Sequence, residues 1–175
     1  MPLSSLQQSV ADYCVGKLAD SVKLVEKCLR LLSVEQVWHR PNEVSNSIGV
    51  LVLHLTGNVN QWINKTLGGD QFERDRPAEF ACRDPLPTED ILTDLKQAVS
   101  RACDVVRELP LDKLTELVTV QGYTVPGVGA VIHVVEHFSL HTGQIIYATK
   151  ILINRDLSEY DEQGQRKDGR TTGVP

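Results

Sequence analysis

"IGVLVLHLTGN", residues 48–58, is apolar on nearly every face of a helix, yet it carries a histidine, His54, near its middle. A helix that is hydrophobic all round belongs inside a protein, enclosed by other elements. The pattern extends from about 45 to 67, where Gly68-Gly69 stops it. Working outward, three more segments repeat apolar residues at steps of three and four: about 5–32, about 88–109 and about 126–154. Four long helices, one of them central, predict an all-α four-helix bundle. Its core faces should be built from Leu6, Val10, Leu18 and Val25, then Ile48, Leu51 and Leu55, then Ile91, Leu95 and Val99, and finally Val135 and Ile145.

The boundaries have local chemistry. Ser4 or Ser5 suits the first N-cap, and Thr88 the third, with Glu89 and Asp90 where the helix dipole favours anions. Pro110 ends the third helix, and Pro126 fits the start of the fourth. Before it, "LTELVTVQGYTVPG" places β-branched residues around Gln121-Gly122, which predicts at most a short hairpin or an extended loop. The polar stretch "GGDQFERDRPAEFACRDPLP", residues 68–87, is long for a bundle connection. It should cross between the ends of the bundle or wall a cleft. Residues 155–175 have almost no aliphatic content, so the chain divides into a bundle, 1–154, and a polar tail, 155–175.

The 175 residues suit one domain with a sizeable core. A net charge of -5 and the lack of a basic cluster exclude nucleic acid and anionic membranes as expected partners. No run of about 18 apolar residues suggests a membrane span. The four cysteines form no CxxC pair, which suits a reducing cytoplasm.

Function points to the histidines. Of five, three stand in "HVVEHFSLHTGQI", residues 133–145, at i, i+4 and i+8. Imidazole fills a core poorly but binds metals well. Neighbouring members of the stripe lie about 6 Å apart along the axis and can share an ion; His133 and His141, about 12 Å apart, cannot. The pair is therefore His133/His137 or His137/His141. In a bundle the third ligand comes from a facing helix, and His54 is the candidate. Asn58, one turn on, could support it. His39, in "WHRPN", reads as a boundary residue.

These segments, "NSIGVLVLHLTGNVNQW" and "HVVEHFSLHTGQI", resemble the DinB/YfiT-like metalloenzyme superfamily. "HLTGN" and "RDRPAEF" resemble its DUF1572 branch, and the likeness covers most of residues 1–154. The resemblance implies a four-helix bundle with an unusual crossover between the second and third helices. It implies a divalent metal on His54, His137 and His141, the pair that precedes Gly143-Gln144, with Asn58, His133 and Gln144 around the site. Zinc or nickel, or else iron or copper, would be the ion. Relatives that use low-molecular-weight thiols imply a thiol-dependent S-transferase acting on a small-molecule electrophile, as a cytoplasmic homodimer. Metal-dependent hydrolysis and a non-catalytic metal-binding or stress-related module are the alternatives. No catalytic residue is assigned.

Overall fold

The computed structural model describes residues 5–157, 161–163, 165 and 167. Seven helices and one hairpin follow in chain order: α1 (Ser5–Leu29), α2 (Val34–Trp38), α3 (Ile48–Val59), α4 (Arg76–Ala81), α5 (Thr88–Glu108), α6 (Leu111–Thr115), β1 (Leu117–Val120), β2 (Tyr123–Pro126) and α7 (Gly127–Ile153). A π-helical turn, Asn60–Lys65, continues α3. Among the described residues no helix is long and apolar enough to cross a membrane.

The four long helices form the predicted bundle. Both α1 and α3 pack against α5 and α7, which leaves α1 and α3 across one diagonal and α5 and α7 across the other. The core follows the apolar stripes: Leu18, Val25, Leu55, Leu95, Phe138 and Ile145 are completely buried. Full burial of such side chains contributes about 1.5–3 kcal/mol each. The central helix is as enclosed as its composition requires, and Gly49 gives the Trp38 indole room against its backbone, since a Cβ there would lie 2.8 Å from the ring.

Some expectations need correction. Leu6 is 73% exposed, so it belongs to the outer side of α1 and not to the core. Pro87, not Thr88, is the N-cap of α5, and the buried Thr88 hydroxyl has no partner. After α1, Ser33 and Gln36 form a reciprocal capping box that starts α2. The linker likewise forms α4, capped by the Asp75 side chain with Pro77 in its first turn.

The segment before α7 is a hairpin. Its register pairs Leu117 with Pro126 and Val120 with Tyr123. Gln121 and Gly122 both have positive φ, 53° and 83°, as the tight turn that matches strand twist demands. The expectation for the tail falls mostly outside the described residues. Its first part is tied down: Leu157 is buried and its carbonyl accepts from Lys27 Nζ at 2.7 Å.

Candidate metal centre

α3 and α7 bring His54, His137 and His141 together. One ring nitrogen from each falls within 4.8 Å of the other two. His54 is 4% exposed, and the other two are half-buried. His54 Nε2 and His137 Nε2 are 2.8 Å apart, a separation that puts one proton between two lone pairs. His133 is beside the cluster but outside it, its ring stacked 5.5 Å from that of His137. The pair that joins His54 is thus His137/His141. His39 caps α2 and is exposed.

Two of the other ring nitrogens are held from outside the cluster. His54 Nδ1 lies 3.0 Å from Glu79 Oε2. It also lies 3.1 Å from Arg74 Nη2, but a guanidinium only donates, and that nitrogen already donates to Glu79 Oε2 at 2.8 Å. The proton therefore sits on Nδ1 and points at the carboxylate, which leaves Nε2 as a lone pair facing the cluster. His141 repeats the arrangement: its Nδ1 donates to Gln144 Oε1 at 2.7 Å. A carboxylate or amide behind a ligating imidazole sets its tautomer and aim.

Glu79 and Arg74 come from the 68–87 linker, so that segment does wall the site. Arg74 Nε donates to Glu79 Oε1 at 2.6 Å, Nη2 to the His54 carbonyl at 3.3 Å and Nη1 to Gln61 Oε1 at 3.1 Å. The pair is nearly sealed from water. Burial pushes the Glu79 carboxyl up, but hydrogen bonds from Arg74 and then His54 outweigh it and hold it below its ordinary value. Gly57 explains part of "HLTGN": any side chain there would collide with the Glu79 carboxylate and the Arg74 guanidinium.

Burial, then the neighbouring His141, His54, His133 and Arg74, pushes His137 down to about 3. Burial also lowers His141 and His133. Such imidazoles stay neutral near pH 7, the form that binds metals.

A cavity of about 300 Å³ opens against His54 and His137. Asn58 lines it, and the Asn58 Oδ1 is buried without a partner. The π-helical turn puts Trp62 in its wall, its ring tilted 33° against that of His133 with centroids 4.0 Å apart. The hairpin supplies Gln121, Tyr123 and Val125, and α4 supplies Arg76. Gln121 Nε2 donates to Gln61 Oε1 at 2.7 Å, so the hairpin tip joins the same hydrogen-bonded chain as Arg74. Glu136 is exposed on another face of α7 and lines no part of this cavity.

The donor set fits a divalent ion. Three imidazoles converge, two of them with their outer nitrogens satisfied by acceptors, and an orphaned amide oxygen lies alongside. Sequence reasoning missed Glu79, Arg74, Arg76, Trp62 and Gln121. The acidic and basic residues of "RDRPAEF" were visible, but charge in a polar linker ordinarily means solvation.

The fold, a helical bundle with a three-histidine cluster between two of its long helices, is DinB-like. The chain belongs to the DUF1572 family, described as "Protein of unknown function", whose model matches residues 7–160. No curated protein matches it. Solved structures share the fold. A conserved protein from Enterococcus faecalis aligns with a TM-score of 0.67 at 13% identity, over 81% of this chain and 96% of that one. A DinB-like protein, YjoA, from Bacillus subtilis aligns with a TM-score of 0.61 at 18% identity, over 85% and 94%. A mycothiol-dependent maleylpyruvate isomerase aligns with a TM-score of 0.61 at 15% identity, over 77% of this chain and 60% of its own.

Proposed function

We propose that the protein is a divalent-metal-dependent enzyme that transfers a low-molecular-weight thiol to a small electrophile. The observation that carries this reading is the convergence of His54, His137 and His141 beside a cavity large enough for a small molecule. His54, His137 and His141 would hold the ion, zinc or nickel by their imidazole chemistry. Among the described residues no carboxylate joins the trio, so the charge of the ion would stay uncompensated, as in catalytic rather than structural sites. When bound, the ion supplies Lewis acidity that lets a thiol lose its proton near neutral pH. The thiol-dependent neighbour supports the choice of thiol over water.

The protein's own groups do the rest. Glu79 and Gln144 hold the protons of His54 and His141 away from the cluster, so that Nε2 of each faces inward. Asn58 Oδ1 offers an acceptor beside the reacting groups. Tyr123 and Val125 of the hairpin shelter the cavity from water on one side.

The working unit is proposed to be a cytoplasmic homodimer. Ile132, Leu140, Tyr147 and Ile151 stand exposed within an arc of about 100° on α7, an apolar patch interrupted by Glu136 and Lys150 that a second copy could cover. The free cysteines suit a reducing compartment.

The test uses untagged protein. Bound metal is measured by elemental analysis, and thiols are screened with electrophiles against the His137→Ala variant. Thiol consumption that needs both metal and His137 supports the reading. Metal-dependent ester cleavage without thiol consumption would move the protein to the hydrolases. A folded, metal-loaded protein that turns over neither makes the site non-catalytic.

A further inference from the structure

We propose that the cavity beside the histidines takes a carboxylate-bearing small molecule, and that Arg76 is the residue that receives its carboxylate. The inference rests on the cavity being the substrate site and goes further by naming the charge of what enters it.

Among the described residues the cavity is lined by two cations, Arg74 and Arg76, and by no carboxylate. The two arginines are in different states. Arg74 is committed: two of its nitrogens reach the Glu79 carboxylate at 2.6 and 2.8 Å, so its charge is already answered. Arg76 is exposed, and its side chain makes no ion pair or hydrogen bond among the described residues. Its one contact is with the Phe80 ring, with the guanidinium carbon 4.8 Å from the ring centre. Such a stacked guanidinium is held in orientation while its N–H edge stays free. Phe80 in turn lies 4.8 Å from the His54 ring, so the guanidinium stands two ring contacts from the histidine cluster. A small molecule can bridge that gap.

An unanswered cation over a cavity is unusual on a chain with a net charge of -5. The pairing a free guanidinium edge suits best is bidentate, with a carboxylate. The rest of the lining suits the body of a small organic acid: Tyr123, Val125 and Trp62 are largely apolar, and Asn58 and Gln121 add neutral polar contacts. At about 300 Å³ the space admits a small acid and not a peptide.

The carboxylate could belong to the electrophile or to the thiol, and the experiment separates them. Metal-free and zinc-loaded protein are titrated calorimetrically with cinnamate and with its neutral isostere cinnamamide, and in parallel with 3-mercaptopropionate and its amide. The metal-free arm removes any attraction of a carboxylate for the ion itself. A protein-observed spectrum follows the Arg76 Nε–H signal. The expected result is an acid-over-amide preference of about tenfold in metal-free wild type, a shift of the Arg76 signal, and loss of both in Arg76→Gln. Arg76→Lys should restore part of the preference. Arg76 is exposed, so the thermal midpoint of each variant should match wild type. Discrimination with only one of the two ligand pairs assigns the carboxylate to that substrate. Equal affinity for acid and amide, or a preference that survives Arg76→Gln, overturns the inference and leaves the cavity as a substrate site. Failure of every ligand to bind, with or without zinc, overturns the inference and the reading of the cavity together.

Discussion

Two concavities border α7, and they differ in nearly every respect. The groove between α1 and α7 is the larger, about 780 Å³, and its walls include Val10, Tyr13, Ile132 and Val135. The cavity between α3 and α7 is about 300 Å³ and has three of the five histidines on its walls and a fourth, His141, beside them, with two arginines and an orphaned amide oxygen. Volume does not mark the chemistry. What marks it is polar groups that are buried, aimed and, Asn58 Oδ1 apart, fixed by other polar groups, an arrangement that costs desolvation.

That contrast can be broken most directly at the ligands. His54→Ala or His137→Ala should reduce zinc affinity by more than about 100-fold, because loss of a ligand exceeds the effect of losing its support. Competition with a chromophoric chelator measures this, and an unchanged affinity would end the claim that the cavity is the metal site. Next comes Glu79→Gln. It preserves shape but removes the charge behind His54, and affinity should fall by about 10–100-fold. Long-range proton–nitrogen spectra of the His54 ring should show the Nδ1–H form dominant in wild type and a mixture in the variant.

Gly57→Ala should act through the same pair at one remove. The added methyl displaces Glu79 and Arg74, so overpacking should cost about 1–3 kcal/mol of stability and weaken metal binding less than Glu79→Gln does. Urea titration and the chelator assay report the two effects.

The apoprotein should also lose stability in acid. In the unfolded chain His137 takes its proton near 6.5; in the folded protein it does so only at about 3. The proton therefore favours the unfolded state. The stability is fully present above pH 6.5 and drains away as pH falls toward 3, with His141 and His133 adding in the same direction. Urea midpoints between pH 7.5 and 4.5 would show it, and the slope should flatten in His137→Ala.

The smallest effect on the site belongs to the outer face of α7. Tyr147→Glu should dissociate the proposed dimer, seen by analytical ultracentrifugation, while zinc affinity per chain stays within about twofold. A wild type that is already monomeric removes the dimer from the proposal without touching the histidines.

Much of this was legible in the sequence. The apolar periodicity of residues 5–32, 45–67, 88–109 and 126–154 located the long helices, because burial of a stripe leaves a stripe in the residues. The spacing of His133, His137 and His141 limited the site to two pairs. What periodicity cannot carry is the meaning of a polar linker. Glu79 and Arg74 look solvated until the fold lays them against His54. The π-helical turn was equally hidden, since one extra residue in a turn leaves no compositional mark. Leu6 misled because an apolar residue in phase with the core stripe can still face outward near a helix end.

The contact between His54 and His137 joins residues 83 apart in the chain, and Glu79 joins His54 across 25. No single fragment contains the site. Closing loops of that length costs entropy that only the packed bundle repays, so the histidines can converge only once α3 and α7 have docked. A nascent chain has no preformed place for the ion until α7 has left the ribosome and packed. Loading of the proposed ion would then be an act of the finished fold, and the rate of metal uptake after dilution from denaturant should track the last folding phase rather than the first collapse.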